Sequence, residues 1–460
     1  MKNNLESTII KTDIDSKDGQ TKCPKCGATD ISLNVNNGHL KCNYCRYEFE
    51  PIKVSGLETN LNNLKGQIIG SGASDIIPDT NDILTFKCSS CGAEVVVDTA
   101  SSLQARCHWC RNTLSVNEQI PNGSIPDVVL PFKISKEIAR NEIETFVGKR
   151  KFFAHPKFRQ EFKTDNIIGV YFPYMVIDVN SHVLLKGKGE HQVRKYTRKI
   201  GDNYKIYYDA DLYQVEREFD LVIDGLTIES NSDRLVDSDE KTNNIINSIM
   251  PFDIENCVKY DANYIKGYNS ERRNTNVEQL HNIVSVQASD IARYKANDTI
   301  TQYDRGVNWS TQDYNIKGEQ WKAAYLPVWL YSYQEINGNK KLLHYVAVNA
   351  RTKETMGSVP IHMPKLVLVS FIVEILGFIA MLSIDFDYNW IFLLSGFIYF
   401  LIIYSRYRNS NARHNYESTT KTTMTNLVEK DTLITRKTGL TNSMLEGANN
   451  KEVKGIRNKF

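Results

Sequence analysis

Cysteine spacing constrains this 460-residue chain more than any other feature. Cys23-Pro-Lys-Cys26 is followed after 15 residues by Cys42-Asn-Tyr-Cys45, and Cys88-Ser-Ser-Cys91 after 15 residues by Cys107-His-Trp-Cys110. Eight of the nine cysteines fall in these two sets, which share one internal spacing. A CxxC turn offers two thiolates from one knuckle, and a second knuckle downstream completes a tetrahedron. The spacing predicts two all-cysteine zinc ribbons, hence two Zn2+ per chain. Cys23, Cys26, Cys42 and Cys45 would hold one ion, and Cys88, Cys91, Cys107 and Cys110 the other. Gly27 and Gly92 stand where such a knuckle turns with positive φ. A closed shell of four sulfurs leaves no position for water, so both sites are expected to be structural rather than catalytic. Ribbons this small depend on the metal for their stability. Arg46 and Arg111 occupy positions where rubredoxins usually carry glycine, which argues for zinc over iron. His39 and His108 lie within the ribbons and read as non-ligands, because the cysteines alone satisfy the spacing.

Paired CxxC sets suit a reducing compartment, where thiolates meet metal rather than oxidise. Residues 1–20 are polar and carry no signal-peptide pattern. The remaining cysteine, Cys257, has apolar neighbours and reads as a small buried thiol. A formal net charge of +2 excludes a strongly basic whole-chain footprint.

The texture of the chain divides it. Residues 1–20 read as a flexible lead, 21–50 as the first ribbon, 51–83 as a Gly/Asn/Ser-rich linker and 84–118 as the second ribbon. Residues 125–362 read as one α+β domain. Within it Ala139, Ile143, Phe146 and Val147 fall on one helical face, with Ser135 as N-cap. Ile167 to Val179 reads as a buried strand, and residues 236–300 read as helices. Tyr171-Phe-Pro echoes Tyr325-Leu-Pro, either as an internal pseudo-repeat or as a chance match between aromatic strands. Pro173 and Pro327 would each mark an edge, a strand start or a bulge.

Leu366 to Ile384 is a 19-residue apolar run broken by one charge, Glu374. It spans roughly 28 Å as a helix, close to the hydrocarbon thickness of a bilayer. Trp390 to Ser405 is a second run, and residues 365–405 therefore read as a transmembrane helical hairpin. Lys365 precedes it, Arg406, Arg408 and Arg413 follow it, and the connecting loop carries only Asp385 and Asp387. The positive-inside rule then places both termini in the cytoplasm of a multi-pass cell-membrane protein. Glu374 is costly at that depth unless it bonds Ser395 or a nearby backbone group. Residues 406–460 hold 11 basic against 5 acidic residues and read as a basic, disordered cytoplasmic tail.

No enzyme constellation is visible: there is no phosphate-binding glycine loop, no HExxH and no nucleophile elbow. Lys186-Gly-Lys-Gly189 reads as a β-turn. Residues 1–120 carry 12 basic against 14 acidic residues, so the ribbons lack the basic stripe of a phosphate-binding module. Protein contact is the favoured role for them.

Several stretches resemble a family of bacterial membrane-associated proteins with TFIIB-type zinc ribbons, the YdjG-like proteins. They are the two cysteine sets, Val129-Leu-Pro-Phe-Lys133, Lys151-Phe-Phe-Ala-His-Pro-Lys-Phe158, Ile168-Gly-Val-Tyr-Phe-Pro-Tyr174, Ile249-Met-Pro-Phe-Asp253, Tyr264-Ile-Lys-Gly-Tyr268, Tyr325-Leu-Pro-Val-Trp329 and Tyr345 to Thr352 with Gly357. The resemblance implies a membrane anchor that recruits an SPFH-domain protein and a PspA-like protein in envelope or membrane stress. Two complete ribbons and the charged segment Lys186 to Asp239 depart from the family pattern. The expected function is thus a non-enzymatic membrane scaffold or adaptor. The alternatives are a membrane-tethered nucleic-acid-binding regulator and a thiol/zinc redox sensor.

Overall fold

The computed structural model describes residues 6–12, 23–28, 31–35, 37–50, 60–76, 83–87, 93–98, 107–109, 119–120, 126–201, 203–231, 246–265, 268–271, 273–337, 340–383, 389–408 and 414–441. Its architecture is α+β and multidomain. Four long strands form its spine: β1 (Ile168–Ile200), β2 (Asn203–Glu229), β3 (Val307–Asn337) and β4 (Lys421–Leu440). They lie antiparallel in the order β3-β1-β2-β4. At about 3.3 Å per residue, β1 runs roughly 100 Å.

The burial of β1 changes along its length as its sequence does. Gly169 to Ser181 is buried on both faces, which is why its first part, to Ile177, reads as a continuous apolar run rather than an alternating one. On one face Tyr171, Tyr325, Trp329 and Tyr331 pack with Phe132 and with helix α1 (Lys136–Gly148) through Ala139, Ile143, Phe146 and Val147. On the other, Val170, Phe172, Leu326 and Val328 meet Trp109 and Ile249. Odd and even positions thus serve different cores. Farther along, helix α2 (Val277–Asn297) lays Leu280, Val284 and Ile291 on Val183, Leu185 and Phe219. From Val193 onward β1 leaves the cores and ends in an exposed arm with β2, closed by Gly201 at φ +61°.

The two proline segments pair with each other: Tyr171 faces Pro327 and Pro173 faces Tyr325. Neither proline lies at a strand start. Each sits mid-strand where the outer neighbour changes. β1 passes from the short strand Asn269–Ser270 to β2, and β3 passes from Val128–Val129 to the strand Lys340–Asn349. Pro173 O accepts from Ser230 N and Pro327 O from Ala350 N, so each missing N–H points to that break and not into the β1–β3 ladder.

Four expectations change. In the lead, Ser7–Ile10 forms a strand parallel to Gly66–Gly70, which lies in the expected linker and pairs in turn with β3. Lys186 to Gly189 is not a turn but mid-β1, beside a register shift against β3. A Cβ at Gly187 would lie 2.5 Å from Asn308 O, so glycine there permits close backbone approach. The tail is not wholly disordered, because residues 421–440 form β4 on the edge of β2. Its Thr-rich sequence takes its stability from ladder hydrogen bonds and from ion pairs such as Arg217–Asp431 and Arg436–Asp211 rather than from a buried face. Finally, the described residues of 246–276 hold only short helical turns such as Ala262–Ile265, and the long helix described within 236–300 is α2; residues 236–245 lie outside the described residues.

Candidate metal centre and apolar helices

The first cysteine set sits on a small antiparallel sheet of Ile31–Asn34, His39–Cys42 and Glu48–Phe49. Its two knuckles are built alike. Gly27 N donates to Cys23 O at 2.8 Å and Arg46 N to Cys42 O at 2.9 Å. The residue after each second cysteine takes positive φ, +72° at Gly27 and +58° at Arg46. Cys23 Sγ lies 3.6 Å from Cys45 Sγ, and Cys26 Sγ lies 3.6 Å from Cys42 Sγ. All four sulfurs lie within 4.8 Å of one another. A tetrahedron with metal–sulfur bonds of about 2.3 Å has edges of roughly 3.8 Å, so this group fits a tetrahedral metal ion.

The thiols themselves call for a cation. Burial raises Cys23, but the N–H groups of Cys26 and Lys25 and the neighbouring thiols outweigh it and hold it at about 7. At Cys26 the Ala28 N–H pulls down, yet burial and the three other sulfurs push it up to about 12. Four thiols this close cannot all ionise without positive charge between them.

The second set is reached only in part. Cys88, Cys91 and Cys110 lie outside the described residues. Cys107, His108 and Trp109 are buried against the β1–β3 sheet. His108 Nε2 and Trp109 Nε1 both contact Glu271 Oε1, and Ser332 Oγ donates to His108 O at 2.8 Å. Glu271 is a partner that sequence reading missed. It has no fixed spacing from the knuckle, and the pairing of Asn269–Ser270 with β1 on one side and with the strand Glu94–Asp98 on the other brings it there.

Among the described residues, two helices are long and apolar enough to cross a membrane. One is α3 (Met363–Ser383), and the other spans Trp390–Arg408, comprising a 3-10 turn and α4 (Ser395–Arg408). Side chains such as Phe371, Leu376 and Phe397 point outward and are exposed. The helices touch through small residues. A Cβ at Gly377 would lie 2.1 Å from Ser395 Oγ, and one at Gly396 would lie 2.3 Å from Ser370 O. Glu374 Oε2 accepts from Gly396 N at 2.7 Å, a backbone partner for the one charged residue of the run. The inner ends are tied to the α+β body: Phe153 N donates to Tyr407 Oη at 2.9 Å, and Lys365 Nζ to Phe152 O at 2.8 Å.

An α+β protein that carries a four-cysteine group able to hold a metal ion, together with two long apolar helices, is the class these features define. The chain is 24% identical over 341 residues to the uncharacterized protein YdjG of Bacillus subtilis (strain 168), a stretch covering 74% of this chain and 89% of that one. No protein-family model matches the chain, and no solved structure does.

Proposed function

We propose that the protein is a non-enzymatic, membrane-anchored zinc-ribbon scaffold that binds protein partners at the cytoplasmic face. One observation carries this reading. Ile31 and Leu40 of the cysteine sheet share a single core with α1 and with Leu366 and Tyr407 at the inner ends of the apolar helices. The metal module is thereby held beside the base of the membrane segment. Four soft thiolates in a tetrahedron suit Zn2+, which has no redox chemistry of its own and leaves the site structural. The second set, by its identical spacing, would hold a second Zn2+. The apolar helices cross the membrane as a hairpin with both termini cytoplasmic, by the basic residues at its two ends. An SPFH-domain protein and a PspA-like protein in a membrane-stress response are the partners proposed from the family resemblance.

The test is a mild-detergent pulldown of the full chain from its own cells, beside a variant with Cys23, Cys26, Cys88 and Cys91 changed to Ser. A membrane-associated protein partner present with the parent and absent with the variant supports the scaffold. Recovery of the intact chain in the soluble fraction overturns it.

A second reading, a membrane-tethered nucleic-acid-binding regulator, is favoured by the exposed β1–β2 arm. Arg194, Lys195, Arg198, Lys199 and Lys205 interleave there with Tyr196, Tyr204 and Tyr207. Arg198 lies over Tyr196 at 5.2 Å and over Tyr207 at 5.7 Å. Basic side chains set among aromatic ones suit single-stranded nucleic acid. Nuclease-sensitive material in the same pulldown, lost when the four basic residues of β1 in the arm become Ala, would select this reading.

A further inference from the structure

The ladder between β1 and β2 breaks at one inner point. Ile177 pairs with Leu226 and Val179 with Ile223, so Asp178 alone faces Asp224 and Gly225. This is a β-bulge, and Gly225 adopts φ +75° within it. Gly225 N donates to Asp178 Oδ1 at 2.8 Å. Both aspartates line a cavity of about 410 Å³, a volume in the range of small-molecule sites. Its apolar wall comes from Val128, Val176, Met250, Phe252 and Ile254. Its rim includes His414, Tyr416 and Lys421, on the chain that leads from α4 to β4.

Four carboxylates line this cavity, and three of them are matched. Asp178 Oδ2 lies 2.7 Å from Lys322 Nζ and accepts from Gln320 Nε2 at 3.1 Å. Asp253 pairs with Arg351 at 2.6 Å, and Glu255 pairs with Lys421. Asp224 is exposed to the cavity and makes no ion pair or hydrogen bond with its carboxylate among the described residues; partial burial and the charges of Asp178 and Glu255 raise its pKa against the pull of Lys322 and Lys421. The lining thus sets four carboxylates against the ammonium groups of Lys322 and Lys421, which leaves the cavity net negative beside an apolar wall. A metal ion does not suit it. Six or more oxygens would have to converge on such an ion, and among the described residues only the cysteine group gathers three or more ligand atoms within 4.8 Å. A compact ammonium needs one carboxylate, and an attached apolar body needs the wall.

We infer that this cavity binds a small organic amine, with its ammonium on Asp224 and its apolar body against Met250, Phe252 and Ile254. The site is independent of the metal centre and of the scaffold reading. Tyr416 Oη donates to Asp290 Oδ2 on α2 at 2.6 Å, so the rim is anchored to the body and does not depend on the ligand for its place.

The experiment is isothermal titration of the full-length protein in detergent with tyramine and hexylamine, each to about 1 mM, against 4-ethylphenol and hexanol as their uncharged counterparts. Saturable binding of at least one amine, with none of its counterpart, is expected. Asp224→Asn should weaken it by about tenfold or more, while Asp224→Glu retains it and Asp209→Asn, on the exposed arm of the same strand, leaves it unchanged. Thr227→Phe, which fills the cavity without removing a charge, should abolish it. No saturable amine binding, equal binding of the uncharged counterparts, or full binding by Asp224→Asn overturns the inference. The contrast between amine and counterpart on the parent protein stands even where a variant fails to fold.

Discussion

Asp127 is 1% exposed, and its carboxylate gathers three segments distant in sequence. Oδ1 accepts from Gly72 N at 2.7 Å and from Thr12 Oγ1, and Oδ2 accepts from Ala323 N at 2.8 Å. The lead, the linker and β3 are therefore pinned at one residue. Burial raises its pKa against those donors, which lower it. Asp127→Asn keeps the shape but turns an NH2 toward one of the backbone donors. It should cost about 1–3 kcal/mol, and Asp127→Ala should cost more because it leaves two buried N–H groups unpaired. Denaturant midpoints of the two variants against the parent measure this. Nothing in the sequence marks Asp127, because its donors lie 55 and 196 residues away. The cysteines of the first set were legible for the opposite reason. Their geometry is local, fixed by two turns and one hairpin, and spacing alone encodes it. Glu271 and Asp224 share the illegibility of Asp127, since a strand register and a bulge, neither visible as a motif, bring them to their sites.

Element by element, legibility follows whether an element's stability is its own. Helix α1 was readable because cap and apolar face lie within 13 residues, and Ser135 Oγ indeed accepts from Ile138 N at 3.4 Å. The apolar helices were readable from length and composition. Strand β4 was not, because its stability comes from the edge it joins. Four carboxyls of that neighbourhood have depressed pKa values. Asp211 is held down by Arg436, and Glu216 by Lys186 and Lys430. At Asp220 the ammonium of Lys317 leads, followed by Asn426 and His182. At Asp431 burial raises the carboxyl but Arg217 and Tyr303 outweigh it. Each folded pKa lies below its unfolded value, so this stabilisation is complete above about pH 4 and is lost as pH falls from there toward the folded values. Hydrogen exchange through β4 should therefore accelerate between neutral pH and about pH 3, after correction for intrinsic rates, well before exchange in buried residues 169–181 of β1. The apolar helices meet at Gly377 and Gly396 with no room for a larger side chain. Gly396→Leu must force α3 and α4 apart and release Glu374 from its backbone donor. It should destabilise by about 1–3 kcal/mol, seen as a lower melting temperature in detergent.

For the molecule as a whole, the question is how far the metal's contribution reaches. A four-thiolate site binds its ion only when the ligands are assembled, so binding energy appears as folding energy of the module that presents them. Here that module is small: three short strands whose only apolar anchors in the core are Ile31 and Leu40, with Leu33, Val35 and Phe49 packed partly against it. Among the described residues the long sheet holds three further clusters, around Phe172, around α2 and around Val215 and Tyr303, to which the cysteine sheet contributes no residue. Metal removal should thus unfold residues 23–50 and loosen the shared core at α1 and the inner ends of α3 and α4, while β1 to β3 persist. Hydrogen exchange followed by mass spectrometry, before and after chelation, reads this directly. Protection should be lost at 31–49, fall partially at 136–148, and remain at 169–181. Uniform loss across β1 would show instead that the cysteine sheet is integral to the whole fold. A second pulldown on the chelated protein then separates two meanings of the proposed scaffold. A partner that docks on the cysteine sheet is lost together with protection at 31–49, and one that docks on the long-stranded sheet survives chelation.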